Sequence, residues 1–203
     1  MVEFTGSFKQ FESISIPDVS GKTRYKSLAF YLSNLLDKPP CELTSLHPNG
    51  FLVEKTERFF DDNVMFQFST DVVEEKQVLE EIDYRVSSRE ILGARVVEIK
   101  KRKNITNPHM ITIGRSPEND IVLYNRFVSK SHAYLDVGSS DDAVYLVDTG
   151  SKNGTFVNGT QLAPSGNYKL AEGDEISFGP ETKVVYFPPK GFQDFLSELK
   201  SFD

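Results

Sequence analysis

The sequence has no tryptophan, one cysteine and three histidines among 203 residues. A lone cysteine, Cys41, excludes an intrachain disulfide and fits a reducing, cytoplasmic setting. His47, His109 and His132 are scattered, so no metal-ligand spacing can be read and no metal is expected. No apolar run reaches the roughly 18 residues of a membrane-spanning helix, and MVEFTGSFKQ lacks the basic-then-apolar order of a signal peptide. Positive charge is in deficit: 23 Lys and Arg against 30 Asp and Glu leave a net charge of −7, a poor balance for holding polyanions. KKRK (100–103) is a basic run without aromatic platforms, and is read as a solvated strand end rather than a nucleic-acid surface. Neither the G-x-x-x-x-G-K-[ST] phosphate loop nor the G-x-S-x-G nucleophile turn occurs. A Ser131–His132–Asp148 relay is disfavoured, because adjacent residues of one strand point to opposite faces. No cofactor, catalytic residue, membrane or nucleic acid is expected.

What the chain does have is aromatic bulk, with sixteen Phe and eight Tyr, and an uneven charge. Residues 1–87 hold nine basic and fifteen acidic side chains, and residues 88–203 hold fourteen and fifteen. That shift suggests an uncharacterised α+β domain over 1–87. Within it, apolar positions 28, 31, 32, 35 and 36 predict a helix over 25–36, ended by Pro39-Pro40. FLVEK after HPNG and NVMFQF (63–68) read as strands, and 72–83 as a helix opened by Asp71 and Glu74.

From about residue 90 the texture becomes that of an all-β sandwich. Short apolar runs recur at 94–100, 110–114, 120–123, 133–137, 143–148, 155–157, 175–179 and 183–187, separated by polar or glycine-bearing gaps. The sandwich is placed at 88–188. Beyond Pro188-Pro189, positions 192, 195, 196 and 199 have helical spacing, so 189–203 is expected to form a terminal helix packing on the sandwich.

The stretch VDTGSKNGTFVNG (147–159) contains two Asn-Gly pairs. Asn158-Gly159 suits a two-residue hairpin turn, where both residues need positive φ. Asn153-Gly154 lies in a longer loop whose hydroxyls, amide and Lys152 can form an anion-binding concavity. Arg115 follows a strand that ends in Gly114, and Ser129, Lys130, Ser131 and His132 precede another strand. Strand-end loops gather at the ends of a sandwich. A guanidinium, a hydroxyl, an ammonium and an amide converging there would suit a tetrahedral dianion.

Gly114-Arg115, Ser129-x-x-His132, Asn153-Gly154-Thr155, Val157-Asn158-Gly159 and Gly173-Asp174 resemble, in order and spacing, the forkhead-associated (FHA) domain over about residues 90–187. The resemblance implies a sandwich of about eleven strands that binds phosphothreonine peptides without catalysis. By the same resemblance, Arg115 grips the phosphate, Ser129 holds a phosphate oxygen, and Asn153 bonds the peptide main chain. Lys130 is a further phosphate donor, and Lys152 stands where the family carries a hydroxyl or a basic residue. Phe127 lies where a residue C-terminal to the phosphothreonine is read, which suggests an apolar or neutral preference. Gly114, His132, Gly154 and Thr155 support the loops. The implied partner is a phosphothreonine-containing protein, a Ser/Thr kinase or its substrate. Two rivals remain: a phosphate-independent interaction scaffold, and an enzyme within 1–87 that the FHA module targets. The first is at odds with a full set of phosphate ligands, and the second has no readable constellation.

Overall fold

A computed structural model of the chain describes residues 16–17, 23–35, 38–55, 92–102, 107–138 and 143–201. Among these, β1 (Ile16–Pro17), β2 (Thr23–Ser27), β3 (Phe51–Glu54), β4 (Arg95–Glu98), β9 (Thr155–Val157), β10 (Thr160–Gln161), β12 (Glu175–Phe178) and β13 (Thr182–Phe187) build one sheet. Its spatial order is β1-β2-β4-β3-β13-β12-β9-β10. The second sheet holds β5 (Met110–Gly114), β6 (Ile121–Val122), β7 (Ala133–Asp136), β8 (Tyr145–Asp148) and β11 (Asn167–Lys169), in the order β11-β8-β7-β5-β6. Only β5 and β6 run parallel among these pairs. Helices α1 (Leu28–Leu35), α2 (Pro40–Leu46) and α3 (Pro189–Ser201) accompany the two sheets. The expected sandwich with a C-terminal helix is what the chain adopts.

Strand alternation sorts the apolar side chains into two cores. Leu52, Val97, Ile176, Phe178, Val184 and Tyr186 of the larger sheet meet Ile111, Ile113, Leu135 and Leu146 of the smaller one. Their neighbours Phe51, Val53, Val96, Val185 and Phe187 point the other way, into a second core roofed by all three helices. With both faces covered, β3 and β13 read as nearly unbroken apolar runs. Helix α3 seats Phe192, Phe195 and Leu196 in that second core. Phe192 stacks on Phe51 at 4.2 Å and Phe195 on Phe187 at 4.7 Å between ring centroids.

The sheet crosses the boundary expected at residue 87. β3 lies between β4 and β13, with Leu52 opposite both Val97 and Tyr186. Tyr25 of β2 enters the inter-sheet core, and its hydroxyl accepts from the Val122 N–H (3.1 Å) and donates to the Val122 carbonyl. It thereby occupies backbone groups on the unpaired side of edge strand β6. The described front residues are thus part of the sandwich and of its helical roof.

The helix expected over 25–36 begins at Leu28, because Lys26 and Ser27 pair with Val96 and Arg95. Ser27 Oγ then accepts the Phe30 N–H at 3.3 Å, capping the first turn. Pro40, expected only to stop a helix, also opens α2, at a position where its missing N–H costs nothing. Strand β11 has no counterpart in the sequence reading; its residues are mostly exposed and carry no apolar alternation. The strand expected over 63–68 and the helix over 72–83 lie outside the described residues. Asn158 and Gly159 have φ of 50° and 78° and join Val157 to Thr160, as the hairpin reading requires.

Candidate functional site

Four segments meet at one end of the sandwich: the β5–β6 loop, residues 127–132 before β7, residues 149–154 after β8, and the β12–β13 turn. Backbone bonds lace them together. Arg115 N donates to Ser129 O (2.9 Å), Ser116 N to Lys130 O (3.2 Å), and Gly179 N to Gly154 O (3.0 Å). The first two segments approach so closely that a Cβ on Gly114 would lie 2.3 Å from the Lys130 carbonyl oxygen, which explains the glycine before Arg115.

His132 is the hub beneath the rim. Its ring is fully buried. Nδ1 accepts the Ser129 N–H (3.0 Å), and Nε2 lies 3.2 Å from the Gly154 carbonyl. Both contacts are satisfied together only by a neutral ring protonated at Nε2. Burial holds its pKa below the ordinary histidine value, against the opposing pull of the Gly154 carbonyl and the Asp148 carboxylate. The ring also meets Phe178 edge-on, with centroids 5.6 Å apart. With both nitrogens so engaged, the imagined Ser131–His132–Asp148 relay does not form.

Asp148 organises the 149–154 segment from within. Its carboxylate accepts from Gly150 N (2.7 Å), Ser151 N (2.8 Å), Ser151 Oγ (2.6 Å) and Thr155 Oγ1 (2.5 Å). Burial alone would raise its pKa, but the two hydroxyls and two N–H groups outweigh that and lower it. Asn119, also buried, clamps the neighbouring segments: Nδ2 donates to Ser116 O (2.9 Å) and Lys130 O (2.7 Å). From sequence alone neither residue is offered as a support of the rim, and Asp148 enters only as the third member of a disfavoured relay. The available signals were Asp148 just before Thr-Gly-Ser, a loop-nucleating order, and the Asn119-Asp120 pair opening β6.

Asp120 accounts for two residues of the KKRK run, Lys101 and Arg102. Its buried carboxylate accepts from Lys101 Nζ (2.8 Å), Arg102 N (2.9 Å), Thr112 N (2.9 Å) and Thr112 Oγ1 (3.0 Å). Burial pushes its pKa up, yet these donors prevail and bring it down to about 2. Lys101 and Arg102 are therefore stitched to the second sheet.

The residues singled out for binding come together on the rim. Arg115, Lys130 and Lys152 are exposed; Phe127, Ser129 and Asn153 are half-buried. Lys152 N donates to Ser129 Oγ at 3.0 Å, so the hydroxyl oxygen is an acceptor and its own proton is left to donate outward. Asn153 Nδ2 donates to Phe127 O at 2.7 Å, which fixes the amide plane while sparing its Oδ1 and second N–H. Gly154 and Gly179 have φ of 79° and 71°, the left-handed region that favours glycine, on either side of their shared bond.

The FHA domain model matches residues 111–179, a span that takes in the first three of these segments and reaches Gly179 of the fourth. The oxoglutarate dehydrogenase inhibitor of Corynebacterium diphtheriae is 35% identical over 103 residues, covering 48% of this chain and 68% of that protein. The chain belongs to the FHA-domain family. FraH of Nostoc sp. is 32% identical over 103 residues, covering 47% of this chain and 36% of FraH. The chain therefore spans little more than a third of that relative's length. Among solved structures, the Slr1951 protein of Synechocystis is 37% identical, with 46% of this chain and 87% of that one covered and a TM-score of 0.37. Outside the matched FHA span, the larger sheet continues into β2, β3 and β4 and the outer face carries the three helices.

Proposed function

We propose that the rim binds phosphothreonine in a partner protein, and that the chain serves as a non-catalytic adaptor in Ser/Thr-kinase signalling in the cytoplasm. A phosphothreonine brings about −1.5 to −2 charges and three acceptor oxygens at neutral pH. Arg115 and Lys130 supply charge-assisted donors, Ser129 Oγ supplies its free proton, and Asn153 takes the peptide main chain. Lys152 contributes its backbone N–H to the Ser129 hydroxyl and its ammonium to the local field. The partner is a phosphorylated kinase or kinase substrate.

One observation carries this reading: the Ser129 hydroxyl accepts from Lys152 N on a rim where Arg115 and Lys130 are exposed. The test is calorimetric titration of the full chain with a phosphothreonine peptide and its unphosphorylated twin. Arg115→Ala removes charge-assisted bonds worth about 1.5–3 kcal/mol, hence about ten- to a hundredfold in affinity. Equal binding of the two peptides, or an Arg115→Ala variant that retains full affinity, refutes the proposal.

A further inference from the structure

Arg126 is exposed, and its guanidinium lies over the Phe127 ring, 4.7 Å from the centroid. Phe127 is the residue whose carbonyl receives the Asn153 amide at 2.7 Å, so the cation–π pair stands beside the group assigned to the ligand main chain. The backbone that presents the pair is pinned. Asn125 Oδ1 accepts the Phe127 N–H (2.8 Å), and Asn125 Nδ2 donates to Glu181 Oε2 (3.1 Å) on the β12–β13 turn. Glu181 is thereby bonded to Asn125, while the Arg126 guanidinium has no carboxylate partner among the described residues. Arg115, Lys130 and Lys152 are exposed on the same rim of a chain whose net charge is −7.

We propose that the site selects a phosphothreonine flanked by an acidic residue, with Arg126 on Phe127 as the selecting element. The inference rests on the phosphothreonine reading above. A bare Phe127 ring would offer an apolar landing, which is what its residue type alone suggests. With the guanidinium on its face, that surface is cationic, and an aliphatic flank must displace the guanidinium and forfeit the cation–π attraction. A carboxylate instead meets a planar donor fork already held over the ring, so less side-chain freedom is lost on pairing. Arg115, Ser129 and Lys130 suffice for one phosphate, which leaves the field of Arg126 and Lys152 to favour further negative charge.

The experiment takes one phosphothreonine peptide with alanine flanks, beside its unphosphorylated twin, and replaces each flanking position in turn by Asp or Leu. Affinities are read by fluorescence anisotropy for the full chain, Arg126→Ala and Arg126→Lys. The Asp-to-Ala affinity ratio is the readout, so a general loss of affinity cancels. In the unmutated chain one position favours Asp over Ala by about two- to fivefold, and the ratio shrinks in about 1 M salt, where screening acts within ~3 Å. The ratio falls to unity in Arg126→Ala and persists in part in Arg126→Lys. Leu exceeding or equalling Asp at every position, or an undiminished Asp preference in Arg126→Ala, overturns the inference while phosphate dependence stands. Loss of phosphate dependence itself overturns both.

Discussion

Thr155→Val tests the internal support of the rim. Thr155 is fully buried, and its hydroxyl donates to Asp148 Oδ2 at 2.5 Å. Valine nearly matches its shape, so the substitution deletes one hydrogen bond to a buried carboxylate with little change in volume. Hydrogen bonds to charged groups contribute about 1.5–3 kcal/mol. Asp148 keeps three donors, from Gly150 and Ser151, so the loss belongs at the lower end, about 1.5 kcal/mol. For a chain of this size, that lowers Tm by about 3–6 °C.

Urea unfolding followed by circular dichroism measures this loss at neutral and acid pH. The folded pKa of Asp148 is depressed because its hydrogen bonds outweigh burial. Its stabilisation is therefore complete above the ordinary carboxylate range and is lost as pH falls through the folded value. Removing the Thr155 donor raises that folded value, and once Asp148 is protonated in both proteins the difference between them closes. A difference below about 0.5 kcal/mol at neutral pH, or one that stays constant into acid, refutes the assignment of Asp148 as the charged organiser of the segment. Phosphopeptide affinity falls in parallel, since the same carboxylate holds the backbone that presents Lys152 and Asn153.

Phe51→Ala is expected to cost about 3–5 kcal/mol, because Phe51 is wholly buried and stacks on Phe192. Equilibrium unfolding should show the loss in the main sandwich transition; an unchanged transition would mean that the helical roof unfolds on its own. His132 should stay neutral and protonated at Nε2 below the ordinary histidine value of about 6.5, because burial lowers its pKa. Its stabilising contribution is then present above that value and lost as pH falls through the folded one. Nitrogen NMR of the ring reads the tautomer directly, and a ring already half-protonated at about pH 6.5 contradicts the geometry.

Much of the rim was legible because its residues obey local rules. Asn158-Gly159 forms the tight turn its type demands, and Gly114 stands where a Cβ would collide with the Lys130 carbonyl oxygen. The α3 face was legible too, since Phe192, Phe195 and Leu196 repeat at helical spacing. Asn119 and Asp148 were harder to see. Asparagine and aspartate in loops look the same whether they face solvent or clamp buried backbone, and only their burial tells which. Phe127 by its residue type offers an apolar surface, and the Arg126 guanidinium over its ring is a matter of rotamer and packing that residue type does not state.

The sequence by itself determined the sandwich period, the tight turns and the order of the residues that meet on the rim, because alternation, positive-φ glycines and loop chemistry act over a few residues. The tertiary structure alone decided that Phe51–Glu54 inserts between Arg95–Glu98 and Thr182–Phe187, and that Tyr25 reaches Val122. Strand pairing across such separations depends on which exposed edge and which apolar face are open when the chain collapses. A charge shift near residue 87 marks a change of composition, and composition does not say which backbone groups will bond.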